Sequence, residues 1–249
     1  MSLPWLHVDG KWIRDEAGNR IALRGVGCDY TAYRKWDWLE EFIQQIAGRG
    51  YNHVRLAFTM EPFHAHHVPY QPDWMDIAVD LCEQYGIYAV LTCMDWWASP
   101  KHQGWEEPLP LHEQDWLNMW REIAERYKDR SVVAAYELYN EPLGSGLTPD
   151  GKNQVDCYLD AMAVIREVDT KHPFIVYEDS HNLFHTLETE AGIADRLLWH
   201  PNTVRTDTIY ASHHWWAGKD LPEDFAEAYR QAVMYVEGLK YYSDWLGVC

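Results

Sequence analysis

Short β-prone apolar runs alternate with amphipathic segments of helical period along almost the whole chain, and this alternation restricts the fold more than any single residue. Residues 21–27, 51–58, 87–93, 131–136, 174–177 and 208–212 read as strands. Between them, 38–47, 73–85, 111–127 and 153–168 carry helical periodicity, and 222–242 reads as a long final helix. Gly48 and Gly86 stand where the first two helices should stop. Strands separated by helices imply a parallel sheet with right-handed crossovers. A hairpin over residues 5–13, with Asp9-Gly10 as its turn dipeptide, precedes the first strand, and Gly18-Asn19 marks a second turn.

One of these strands carries the chemistry. Residues 131–142 read SVVAAYELYNEP: an apolar, buried-strand opening that breaks at Asn140-Glu141-Pro142. Proline cannot donate to a ladder and pushes the residue before it out of helical geometry. A carboxylate is thereby held beside an amide at the C-terminal end of a buried strand, where α/β barrels place their catalytic groups. The surrounding apolar strand and the aromatics Tyr136 and Tyr139 predict a raised pKa for Glu141, as a general acid near neutral pH requires.

The run Leu138-Tyr139-Asn140-Glu141-Pro142 resembles the strand-4 signature of glycoside hydrolase family 5, the cellulase and mannanase family of retaining glycosidases. The opening hairpin and the Leu-Arg-Gly-Val run at 23–26 also resemble that family, in which a small hairpin closes the barrel floor. The resemblance implies a TIM-type (β/α)8 barrel, of which about six β/α units are legible before Cys249. It implies that Glu141 is the general acid/base, that Asn140 binds the sugar 2-hydroxyl, and that Arg55 orients the nucleophile. In the family the nucleophile, a Glu, ends strand seven. It is therefore expected beyond Cys249, with residues 1–249 forming a single barrel domain truncated at its C-terminus.

Parallel strands bring their C-terminal ends to one face, which gathers the other candidates. After strand three, where the family has a His, the chain reads Met94-Asp95-Trp96-Trp97. Asp95 takes that position, and Trp96 and Trp97 are expected as sugar platforms. Strand six ends His213-His214-Trp215-Trp216, so His213 and Trp215 match the family's His-x-Tyr by spacing, with an indole in place of the phenol. Glu178, at the end of strand five, is the in-chain stand-in for the nucleophile. It sits on a neighbouring strand rather than across the barrel, a poor place for in-line attack.

Composition narrows the partners. A formal net charge of −18 repels nucleic acid and anionic membranes alike. Fourteen Trp and sixteen Tyr suit stacking on sugar rings, so the expected partner is a β-glycan or oligosaccharide. Five Cys occur without a CxxC pair, which argues against a zinc knuckle or redox motif, and Cys28, Cys82 and Cys93 are expected as buried thiols. No signal peptide is visible and no apolar run approaches transmembrane length. Family members are often secreted, and the compartment is left unassigned.

Two alternatives compete with a retaining β-glycan hydrolase. One is a non-catalytic barrel that binds carbohydrate and lacks the nucleophile. The other is a metal-dependent barrel hydrolase using His64, His66 and His67 with His213 and His214. Pro62, Phe63 and Pro69 make the first His cluster a loop, and metal barrels place such a motif after strand one. No metal and no cofactor are expected.

Overall fold

The computed structural model describes residues 2–28, 36–60, 70–94, 109–140, 154–177 and 205–211. The chain opens with β1 (Leu6–Asp9) and β2 (Trp12–Asp15), an antiparallel hairpin in which Asp9 pairs with Trp12. The two turn residues are thus Gly10-Lys11, one place later than the Asp9-Gly10 expectation. Then come β3 (Gly25–Cys28), α1 (Trp36–Gly48), β4 (His53–Phe58), α2 (Pro72–Tyr85), β5 (Tyr88–Cys93) and α3 (Leu109–Tyr127). The series continues with β6 (Val133–Glu137), α4 (Gln154–Arg166), β7 (Phe174–Tyr177) and β8 (Thr208–Ala211). The final helix expected at 222–242 lies outside the described residues.

Strands β3 to β8 form one six-stranded sheet in sequential order, every pair parallel. A doubly wound sheet reverses its order at a switch point, whereas an order that never reverses winds in one direction, as a (β/α)8 barrel does. The alternation along each strand sorts side chains into two cores. Val54, Leu56 and Phe58 of β4 and Ala89, Leu91 and Cys93 of β5 face the helices, where they meet Leu39, Ile43 and Trp120. Tyr88 and Val90 belong to a second cluster on the other face, with Ala134 of β6 and Ile175 of β7 beside it. The thiols of Cys28, Cys82, Cys93 and Cys157 are buried, and burial pushes the Cys82 thiol far up, so it is a packing group rather than a nucleophile.

The hairpin covers the N-terminal end of the inner face. Leu6 is buried in the inner cluster, with Leu3, Ile13, Ile21 and Leu23 packed against it. The Tyr88 hydroxyl, at the start of β5, donates to the Pro4 carbonyl (2.9 Å), and the Ser131 hydroxyl donates to the Leu3 carbonyl (2.5 Å). With that end closed, chemistry is left to the C-terminal ends of the strands.

The first parallel strand is shorter than the run 21–27 suggests. The Ile21 amide bonds the Ile13 carbonyl (2.9 Å) and Arg20 bridges Arg14, so these residues extend the hairpin instead. Asn52 serves the next ones, accepting from the Arg24 amide (2.6 Å) and donating to the Ala22 carbonyl (2.8 Å). At Gly25 a Cβ would lie 2.0 Å from the His53 carbonyl oxygen, backbone that cannot turn aside, so only glycine fits this first rung.

Behind the sheet, Asp169, Tyr136 and His172 form a buried cluster joining β6 to the turn before β7. The Tyr136 hydroxyl donates to Asp169 (2.7 Å), the His172 Nδ1 lies 2.5 Å from the same carboxylate, and the Lys171 amide donates to it (2.8 Å). Burial alone would raise this carboxyl, yet His172, the Lys171 amide and the Tyr136 hydroxyl overcome it and bring Asp169 down to about 2. A folded-state pKa below the unfolded one stabilises the protein above about pH 4, and that contribution, about 2 kcal/mol, fades as pH falls toward 2. Urea denaturation of the wild type and Asp169→Asn should therefore differ most above pH 5 and converge between about pH 4 and 2. A gap that is constant with pH would show that the carboxylate charge is not what stabilises this corner.

Candidate active site

The inner face carries a charged pair spanning β5. Arg55, third residue of β4, reaches across to Glu137, last residue of β6 and 82 residues away in sequence. Its Nε donates to Glu137 Oε2 (2.7 Å) and its Nη2 pairs with Oε1, a two-pronged contact that matches the fork of a guanidinium to a carboxylate. Glu137 is 2% exposed, so a net charge there must be matched. The Thr92 hydroxyl, from the rung directly opposite, donates to Oε2 (3.0 Å), and the Tyr177 hydroxyl hydrogen-bonds the same carboxylate. Burial first, and then the charge of Glu137, push the Tyr177 hydroxyl well above its ordinary pKa, so it acts as a donor.

The same guanidinium holds Asn140. Arg55 Nη2 donates to Asn140 Oδ1 (2.5 Å). An arginine only donates, so this contact fixes which end of the amide is oxygen and leaves Nδ2 as the donor end. The backbone leading there is clamped as well. The Leu138 carbonyl accepts from the Trp120 indole of α3 (3.2 Å), and the Tyr139 carbonyl accepts from the Tyr158 hydroxyl of α4 (3.1 Å). The Leu138 amide bonds the Ile175 carbonyl (3.1 Å), and the Asn140 amide bonds the Cys93 carbonyl (2.9 Å). The regular ladder of β6 ends at Glu137, but these bonds carry the extended chain on to Asn140.

Of the residues singled out from sequence, Arg55 and Asn140 are thus brought together. Glu141, Asp95, Trp96, Trp97, Glu178, His213 and Trp215 lie outside the described residues, as do His64, His66, His67 and His214. Among the described residues no three His, Cys, Asp or Glu side chains are grouped as a metal ion would need. No described helix is long and apolar enough to cross a membrane.

Sequence reasoning missed Glu137. A signal was there: one acidic residue ends the apolar strand VAAYE, and one basic residue interrupts HVRLAF. Two opposite charges on buried strands must find each other, but only strand order shows that β4 and β6 flank β5. His53, two residues before Arg55, was not singled out either. Burial pulls its imidazole below the ordinary histidine range, and its buried Nδ1 has no hydrogen-bond partner among the described residues.

The model of the cellulase family, glycosyl hydrolase family 5, matches residues 14–235. The chain belongs to glycosyl hydrolase family 5. Similar curated proteins include an endoglucanase of Paenibacillus polymyxa, 25% identical over 178 residues, covering 63% of this chain and 45% of that protein. Endoglucanase C of Acetivibrio thermocellus is 25% identical over 210 residues, covering 79% of this chain and 57% of that protein. This family-5 chain therefore spans about half the length of these relatives. Among solved structures, a beta-glucanase of Saccharophagus degradans in complex with cellotetraose superposes with a TM-score of 0.65 at 19% identity, over 100% of this chain and 72% of that one. That likeness shows the shared barrel fold.

Proposed function

We propose that this chain is part of a retaining β-glycan hydrolase, with Glu141 as general acid/base and Asn140 as the ligand of the sugar 2-hydroxyl. The observation that carries the reading is the clamped Asn140, whose Oδ1 is taken by Arg55 at the end of β6. The donor end of its amide has the polarity a sugar hydroxyl oxygen needs. Glu141 follows it in sequence, at the strand end where barrel enzymes act. Membership of the cellulase family and likeness to two endoglucanases support a β-linked glucan or mannan as substrate.

Retention needs two carboxyls about 5–5.5 Å apart, one to protonate the leaving oxygen and one to form the glycosyl-enzyme. Glu141 takes the first role. In this reading the second belongs to a strand-seven glutamate encoded after Cys249, and Asp95, Trp96, Trp97, His213, Trp215 and Glu178 line the cleft. The protein carrying this chain should hydrolyse soluble β-glucans or mannans, and proton NMR of the first product should show the β-anomer. First product as the α-anomer would mean inversion and would remove the nucleophile from the scheme.

A further inference from the structure

Glu137 has no part in the acid/base scheme, yet among the described residues it is the most heavily bonded carboxylate on the inner face. It takes both prongs of Arg55 together with the hydroxyls of Thr92 and Tyr177. Three strands, β4, β5 and β7, supply donors to one oxygen pair on the fourth, β6. Such an array fixes a guanidinium in position and in charge. The Nη2 atom that meets Glu137 also holds Asn140, three residues further along β6's own chain.

We propose that Glu137 is a positioning residue. It cancels the charge of Arg55 and aims the guanidinium at Asn140, so that the amide keeps one orientation and the segment beyond it is spared an unbalanced cation. The inference rests on the proposed role of Glu141. A general acid must hold its proton near neutral pH, and an unopposed arginine nearby favours the ionised form. Glu141 is covalently next to Asn140, whose side chain touches Arg55. Consecutive Cα atoms are about 3.8 Å apart, and the proposal takes the Glu141 carboxyl to feel the field of this cation. At separations of roughly 8 Å near a protein surface, one uncompensated charge displaces a carboxyl pKa by about one pH unit.

The test does not require turnover. Carbon-13 NMR of glutamate-labelled protein follows the Glu141 carboxyl through a pH titration, with Glu141→Gln used to assign the signal. Glu137→Gln keeps the shape of the side chain and removes its charge, and the Glu141 midpoint should fall by about one pH unit. Glu137→Asp keeps the charge and should leave the midpoint within a few tenths of wild type. The double variant Arg55→Met/Glu137→Leu removes both charges and should restore the wild-type midpoint, which keeps the comparison available if Glu137→Gln does not fold. An unmoved Glu141 in Glu137→Gln, or a midpoint in the double variant displaced by a full pH unit, would overturn the inference. A wild-type Glu141 that already titrates as an ordinary carboxyl would count against the acid/base reading instead, so the two failures are distinct.

Discussion

Glu137→Ala should destabilise the fold by about 3 kcal/mol, a large loss for the truncation of one buried carboxylate. Removing the carboxylate leaves the Arg55 guanidinium without its partner on the inner face, and breaking a buried pair in this way typically costs about 3–5 kcal/mol. The Arg55 side chain is 21% exposed, so water relieves part of the penalty and the lower end applies. Thr92, fully buried, and Tyr177 also lose their acceptor. Urea denaturation measures the effect, with the slope checked for constancy so that the midpoint reports stability. The double variant Arg55→Met/Glu137→Leu should recover most of the loss, because an apolar pair of similar volume often matches a buried ion pair. A single-variant loss below about 1 kcal/mol would mean that this pair is solvated like a surface bridge.

For the protein that carries this chain, the proposed function predicts that Glu141→Gln costs between about 10² and 10⁴ in kcat on β-glucan while KM moves only a few-fold. The amide keeps the shape and removes the transferable proton, so binding survives and protonation of the leaving oxygen does not. The penalty should depend on the leaving group. A sugar alkoxide needs that proton, whereas an aryl leaving group with a pKa of about 7 departs without it, so glycosyl-enzyme formation from an aryl glycoside should be far less impaired. Steady-state kinetics on both substrates, with a burst measurement for the aryl glycoside, separates the steps. Equal losses on the two substrates would place Glu141 outside proton transfer, and unchanged kcat on glucan would remove it from the mechanism.

Local sequence determined a large share of this protein. The strand and helix series follows from short-range physics: apolar runs of strand length, helical periodicity, Pro72 opening α2, and Gly86 closing it at a positive φ of 67°. Strands alternating with helices predicted a parallel sheet, and the resemblance of Leu138–Pro142 to the family signature then named Asn140 and, with it, Arg55. The true start of β3 was not legible, because hydrogen bonds from Ile21 to Ile13 and from Asn52 to residues 22 and 24 decide it. The Asp169–His172–Tyr136 cluster was hidden for the same reason, since its members are separated by up to 36 residues and meet only when β6 packs beside β7. Glu137 shows the division most clearly. Its sequence neighbours say only that a charge ends a buried strand. That the charge is answered by Arg55, 82 residues earlier, depends on both strands flanking β5 and turning those side chains inward. Pattern along the chain carries local geometry, but charge compensation is a property of distance in space, and tertiary structure alone sets that distance.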